Sequence, residues 1–238
     1  MATLRASIVI PAYNEEESIE ECVTELCAVM ERLGAPYEVL VVDDGSRDGT
    51  FERLRALKAR YPQLRALRLE ANSGETAATD AGLRNARGEL VVTMDADLQN
   101  DPADIPKMID MAIDYDMVCG VRARREDSLV RRVSSRIANW TRNKVTHETI
   151  TDVGCTLRLM RAERLKNLKL YTGMHRFLPT LLRLDGARIV EVPVNHRPRR
   201  KGRSKYGVWN RLFAGIYDLI AVRWMQSRWL HYKVKDEL

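Results

Sequence analysis

Apolar and polar positions along the first half of the chain follow two alternating rhythms. Short β-rich runs at residues 6–11, 37–42, 64–69, 90–94 and 117–121 read as five strands. Val39-Leu40-Val41-Val42 is apolar without a break, as a strand buried on both faces requires. Between the runs the spacing becomes helical. Ile19, Val23, Leu26, Met30 and Leu33 mark one face of a helix over 16–33, which Gly34-Ala35-Pro36 stops. Residues 50–60, 76–86 and 102–115 give three more helices. Strands alternating with helices predict an α/β fold, a mostly parallel sheet flanked by helices. Ligands of such sheets bind at the carboxyl ends of the strands. Tyr13-Asn14-Glu15, Asp43-Asp44 and Asp95-Ala96-Asp97 each sit just past a strand end, so three polar clusters are expected on one edge.

The second half has a different texture. Residues 128–145 form a basic segment with Leu129, Val133, Ile137 and Trp140 at helical spacing. Residues 188–195 read as a strand, and 197–205, with Pro198 and Gly202, as a basic loop. A last helix is expected over 206–232, with Trp209, Leu212, Phe213, Ile216, Leu219 and Ile220 apolar. The chain thus divides into a body, 1–205, and an amphipathic C-terminal segment, 206–238.

The 238 residues suffice for one large domain with a sizeable core. The net charge of +6 is unevenly spread: residues 1–104 carry 11 Lys and Arg against 20 Asp and Glu, residues 105–238 carry 28 against 13. An acidic half suits a metal ion; a basic half suits phosphates, nucleic acid or an anionic lipid surface. Cys22, Cys27, Cys119 and Cys155 form no Cys-x-x-Cys pair and have no His cluster beside them, which argues against zinc and for a reduced, cytosolic compartment. No run of 18 uncharged apolar residues exists to span a bilayer, and no signal peptide is evident. The terminal Lys235-Asp236-Glu237-Leu238 and the sequon Asn139-Trp140-Thr141 have meaning only in a translocated protein, so both read as coincidence.

Met94-Asp95-Ala96-Asp97-Leu98-Gln99 carries the strongest chemical signal. Two carboxylates so close after a buried strand repel each other unless a cation or donors lie between them. Asp97 and the amide oxygen of Gln99 are hard ligands of the kind Mg²⁺ takes when substrate phosphates complete its shell; a solvated acidic turn is the competing reading. In Asp43-Asp44-Gly45-Ser46-Arg47-Asp48-Gly49-Thr50 the glycines allow a tight loop. Asp48 reads as the cap of the next helix and Asp44 as the ligand contact.

Val9-Ile10-Pro11-Ala12-Tyr13-Asn14-Glu15, Val42–Thr50 and Asp95–Gln99, in this order, resemble the signatures of family 2 glycosyltransferases. The resemblance is nearest to the dolichol-phosphate mannose synthase group and its bacterial polyprenyl-phosphate relatives, and it covers nearly the whole chain. It implies the nucleotide-diphospho-sugar transferase (GT-A) fold and a nucleotide diphosphate sugar as donor. On that resemblance Pro11, Tyr13, Glu15, Val42 and Asp44 cradle the nucleoside, Asp95 and Ala96 contact the nucleotide sugar, and Asp97 and Gln99 hold Mg²⁺ or Mn²⁺. Arg199, Gly202, Ser204 and Lys205 match an Arg-x-x-Gly-x-Ser-Lys loop that closes over the diphosphate. Arg122, Arg131 and Ser135 are placed at an acceptor phosphate. Asp97, Arg122, Arg199 and Lys205 carry catalysis in this reading.

The chemistry accounts for these residue types. A departing diphosphate accumulates charge, which a divalent cation with Arg and Lys offsets. A phosphate monoester acceptor, with a second pKa near ~6, is already anionic and needs no general base. A hydroxyl acceptor on a saccharide or protein would need one; Asp152, in Thr151-Asp152-Val153-Gly154-Cys155, is the candidate, with a turn as its alternative role. His175 reads either as a sugar or phosphate contact or as a packed histidine. A polyprenyl phosphate acceptor implies a membrane surface, approached from the cytoplasmic face by a peripheral protein. Trp209, Trp224, Trp229, Arg211, Arg223 and Arg228 suit interfacial docking, although packing on the domain or a dimer accounts for the helix equally well. The lack of a spanning segment leaves room for a small membrane anchor protein. Nucleic acid is not expected as a partner, since no nucleic-acid fold motif accompanies the basic loop; a non-catalytic nucleotide or nucleic-acid binding module is the rival from another class.

Overall fold

The structure, a computed structural model, describes residues 5–123, 141–198, 208–230 and 236. The five β-rich runs become strands: β1 (Ala6–Ala12), β2 (Tyr37–Asp43), β3 (Leu64–Arg68), β4 (Leu90–Thr93) and β5 (Met117–Arg122). Two more follow, β6 (Arg158–Arg161) and β7 (Ile189–Val194). They form one sheet in the order β3-β2-β1-β4-β6-β5-β7. All pairings are parallel except those of β6, which runs antiparallel between β4 and β5. β7 is an edge strand, and Pro193 in it is tolerated there because an edge needs no donor on its outer side.

Side chains alternate across the sheet and build a core on each face. Ile8, Ile10, Val39, Val41 and Val92 face α1 (Ile19–Leu33), α2 (Thr50–Arg60) and α4 (Ile105–Met111). Val9, Leu40, Val91, Met117 and Cys119 face α3 (Glu75–Asn85) and α5 (Leu178–Leu184). A third cluster packs Met174, Phe177 and Leu181 under Val222, Leu219 and Met225 of α6 (Val208–Arg228). The C-terminal helix therefore has a face that belongs to the domain.

Two expectations need adjustment. The first helix starts at Ile19 rather than residue 16, because the backbone N–H groups of Glu15 and Glu16 donate to Thr50 Oγ1 (2.8 Å) and an Asp48 carboxylate oxygen (3.2 Å). The single helix expected over 102–115 is a 3-10 turn, Pro102–Asp104, followed by α4. Asp101 caps that turn by accepting from Ala103 N–H at 3.0 Å. β6 and α5 were not foreseen. Of the basic helix expected over 128–145, residues 141–145 are helical and 128–140, with Leu129, Val133, Ile137 and Trp140, lie outside the described residues.

Candidate active site

β1, β2 and β4 are adjacent and parallel, so their carboxyl ends share one edge. Their exit loops are laced together there. Asp44 N–H donates to Ala12 O at 2.8 Å, Asn14 N–H to Ser46 Oγ at 2.8 Å, and Arg47 N–H to Asn14 Oδ1 at 2.8 Å. Asn14 holds a left-handed backbone (φ 51°), which asparagine tolerates better than most residues. Gly45 also has φ 67°, and a Cβ there would lie 2.6 Å from the Ala71 carbonyl carbon. A cavity of about 460 Å³ opens between residues 45–47 and 68–72.

The two aspartates at the end of β2 are organising groups. Asp43 is fully buried, accepts from Ser46 N–H at 3.0 Å and pairs with Arg68 Nε at 3.2 Å. Asp44 accepts from Asn72 Nδ2 (2.8 Å), Ser73 N–H (2.7 Å) and Gly74 N–H (2.8 Å). Both of its oxygens engage the turn that leads into α3. Asp44, expected as the ligand contact, thus also organises the loop that follows β3. Asp48, expected as the cap of α2, stands one residue before the N-cap, Gly49; its Oδ1 accepts from Thr50 N–H at 3.1 Å. Val42, expected at the nucleoside, is fully buried in the sheet, and Ala96 is buried as well, so neither side chain lines an open surface. Pro11, Tyr13 and Glu15 are half-buried along the edge, and Glu15 Oε2 accepts from Ser18 Oγ at 2.7 Å.

Beyond β4 the chain makes the turn that carries Asp95, Asp97 and Gln99. Leu98 adopts φ 65°, a conformation a bulky apolar residue rarely takes, and its side chain is buried in the core. Asp97 Oδ1 caps the turn by accepting from Gln99 N–H at 3.1 Å, and Asp95 N–H donates to Asn100 Oδ1 at 2.8 Å. The end of β7 arrives at the same turn. Asn100 and His196 form a β-bridge, and Arg197 N–H donates to Gln99 O at 2.9 Å. Gln99 Nε2 lies 3.3 Å from His196 Nε2. Arg197 pins this junction with ion pairs to Glu25 (2.6 Å) and Asp101 (2.9 Å). His196 was missed from the sequence; its place two residues past a strand end, on the same edge, was the available signal.

Among the described residues no group of three or more His, Cys, Asp or Glu forms a metal cage. A Mg²⁺ or Mn²⁺ ion that shares its shell with substrate phosphates needs only one or two protein ligands. Asp97 carboxylate and Gln99 amide oxygen are a donor set of that kind, and the His196 imidazole lies beside Gln99.

At the end of β5, Arg122 Nε and Nη2 each donate to an Asp152 oxygen at 2.7 Å. His175 is buried behind the site. Thr76 Oγ1 accepts from Gly173 N–H at 3.0 Å and lies 2.7 Å from His175 Nδ1, while Nε2 is 3.3 Å from Glu75 Oε1. Burial first, then the charges of Arg176 and Arg158, push the imidazole down to about 3, so it is neutral. The contacts then define the tautomer: Nε2–H faces Glu75, and Nδ1 accepts from Thr76. His175 is packed against the start of α3. The expected residues Arg131, Ser135, Arg199, Gly202, Ser204 and Lys205 lie outside the described residues.

Solved structures share this architecture. Glucosyl-3-phosphoglycerate synthase from Mycobacterium tuberculosis, in complex with Mn²⁺, uridine diphosphate and phosphoglyceric acid, matches with TM-score 0.71 at 20% identity, over 96% of this chain and 80% of its own. A mannosyltransferase from Pyrobaculum calidifontis, in complex with GDP-mannose and Mn²⁺, matches with TM-score 0.66 at 20% identity, over 98% and 66%. These likenesses show the expected GT-A fold. Among curated proteins, dodecaprenyl-phosphate galacturonate synthase of Rhizobium johnstonii is 40% identical over 92% of this chain and 67% of its own. Undecaprenyl-phosphate 4-deoxy-4-formamido-L-arabinose transferase of Edwardsiella ictaluri is 39% identical over 90% and 66%. The chain thus spans about two thirds of the length of these relatives. The glycosyl transferase family 2 model matches residues 7–169, and with that match and these relatives the chain belongs to glycosyl transferase family 2.

Proposed function

We propose that this chain transfers a sugar from a nucleotide diphosphate sugar to a polyprenyl phosphate, with inversion at the anomeric carbon. The carrying observation is the meeting of the Asp97–Gln99 turn with His196 and Arg197 on the edge where β1 and β2 also deliver their polar loops. The curated relatives, named for polyprenyl-phosphate products and acceptors, supply the acceptor class.

Asp97 and Gln99 would hold Mg²⁺ or Mn²⁺, with His196 near enough to join them. When bound, the cation offsets charge on the leaving diphosphate. Arg199 and Lys205 serve the same oxygens in this reading, and Arg122, Arg131 and Ser135 take the acceptor phosphate. The phosphate attacks as an anion, and no residue has to remove a proton from it. Asp152 fits that mechanism, because the one acid expected as a base spends both oxygens on Arg122. This observation weighs against a saccharide or protein hydroxyl as acceptor.

A lipid acceptor calls for a surface, and α6 offers one. Val222 is fully buried on its inner face, while Tyr217 (76% exposed), Ile220 (63%) and Trp224 (64%) make an apolar stripe on the opposite face. Exposed Arg223 and Arg228 flank that stripe and suit anionic headgroups. No described helix is long and apolar enough to cross a membrane. A peripheral position at the cytoplasmic face is the reading that fits.

The test incubates the protein with a panel of radiolabelled nucleotide sugars and undecaprenyl or dodecaprenyl phosphate. Label is expected in the organic phase, released by mild acid. Label that appears only in added saccharide or protein contradicts the proposal.

A further inference from the structure

The arginine assigned to the acceptor phosphate is gripped by an acid. Arg122 Nε donates to Asp152 Oδ2 and Nη2 to Oδ1, both at 2.7 Å, and the Arg122 backbone N–H reaches Oδ2 at 3.2 Å. Their side chains are 16% and 5% exposed. A two-point fork fixes the plane of a guanidinium as well as its position. This one uses the Nε–Nη2 edge, so the Nη1 edge points away from the carboxylate.

The acid is held in turn. Glu191 Oε1, on β7, accepts from Thr151 N–H at 2.8 Å and Thr151 Oγ1 at 3.0 Å. Cys155 N–H donates to Asp152 O at 3.2 Å, and Arg158 Nη2 donates to Val153 O at 2.7 Å. The guanidinium lies against the backbone of Gly154, where a Cβ would come within 2.8 Å of Arg122 Nη2. Glycine at 154 leaves room for the arginine.

We propose that Asp152 is a positioning residue that sets the Arg122 guanidinium for the acceptor phosphate, and that it is not a general base. The inference rests on the proposed lipid-phosphate acceptor. A base must take up a proton, and doing so here would break the fork. An arginine locked before substrate arrives loses less side-chain freedom on binding, which strengthens its hold on the phosphate.

The experiment compares wild type, Asp152→Asn and Gly154→Ala in steady-state kinetics with a nucleotide sugar and polyprenyl phosphate. Gly154→Ala displaces the guanidinium while keeping both charges. In each variant the acceptor KM is expected to rise about tenfold or more, as small displacements of binding groups do. The donor KM should stay within about twofold and the pH–rate profile should keep its shape. A fall in kcat with loss of the acidic limb and an unchanged acceptor KM would make Asp152 a base and overturn the proposal. Lower melting temperature with unaltered kinetic constants would make the pair merely structural and overturn it equally. If Asp152→Asn does not fold, Gly154→Ala carries the test with Asp152→Glu. Wild type that ignores polyprenyl phosphate, or Arg122→Lys with an unchanged acceptor KM, would instead sink the acceptor assignment beneath it.

Discussion

Replacing Asp44 by alanine separates an organising role from a contact role at the nucleoside end. The substitution removes the acceptor of three hydrogen bonds, from Asn72 Nδ2, Ser73 N–H and Gly74 N–H, all between 2.7 and 2.8 Å. Burial of an unsatisfied donor costs about 1–3 kcal/mol. Asn72 and Ser73 are exposed, so water replaces much of what is lost and each bond counts near the lower limit. The loss then comes to about 2–3 kcal/mol, roughly 1 per bond. For a chain of this size that lowers Tm by about 5–10 °C. Asp44→Asn keeps one acceptor oxygen and should lose about half as much. Calorimetry measures the shift, and titration with nucleoside diphosphate measures affinity in the same samples. Asp44→Ala with an unchanged Tm and abolished nucleotide binding would refute the reasoning and leave Asp44 as a direct contact alone.

Two further predictions concern stability. The imidazole of His175 sits at about 3 in the folded chain against ~6.5 when unfolded, so between these values the unfolded state binds the extra proton and stability falls as pH falls. Urea midpoints at pH 7 and 5.5 should show wild type losing about 1 kcal/mol more than His175→Gln; equal losses would mean that the ring is not held neutral. In α3, a Cβ at Gly82 would lie 2.2 Å from Val9 Cγ1. Gly82→Ala should therefore lower Tm, since overpacking costs about 1–3 kcal/mol and outweighs a gain of up to about 1 in helix propensity; a higher Tm would show that the helix and sheet are not in such close contact.

What the sequence disclosed depended on local pattern. The first five strands and α1 to α3 were legible because short strand-forming runs in regular alternation with helical spacing state their own period; β3, with Arg65 and Arg68, was placed by that alternation. Convergence of residues 13–15, 43–44 and 95–97 followed from topology alone. β6 was not legible: its four residues, Arg-Leu-Met-Arg, include a charge at each end. Arg158 is nonetheless buried, because it donates to the carbonyls of His175 and Val153 at 2.7 Å each. Those partners are set by folding, not by nearby residues. The same holds for Asp44, whose three donors lie about thirty residues away, and for His196, brought to Gln99 across 97 residues. Nor does spacing reveal the left-handed backbone at Leu98. The Arg122–Asp152 fork lies between these cases: both residues drew attention, but their pairing did not.

The account depends most on nucleotide binding that needs a divalent cation at the mouth of β4. Isothermal titration of nucleoside diphosphate into wild type and Asp97→Ala, each with Mn²⁺ and with excess chelator, tests it directly. Wild type should bind far more tightly with Mn²⁺, by about tenfold or more, while Asp97→Ala should stay folded and lose that enhancement. Affinity that is the same with and without Mn²⁺, or an enhancement that survives in Asp97→Ala, would contradict it.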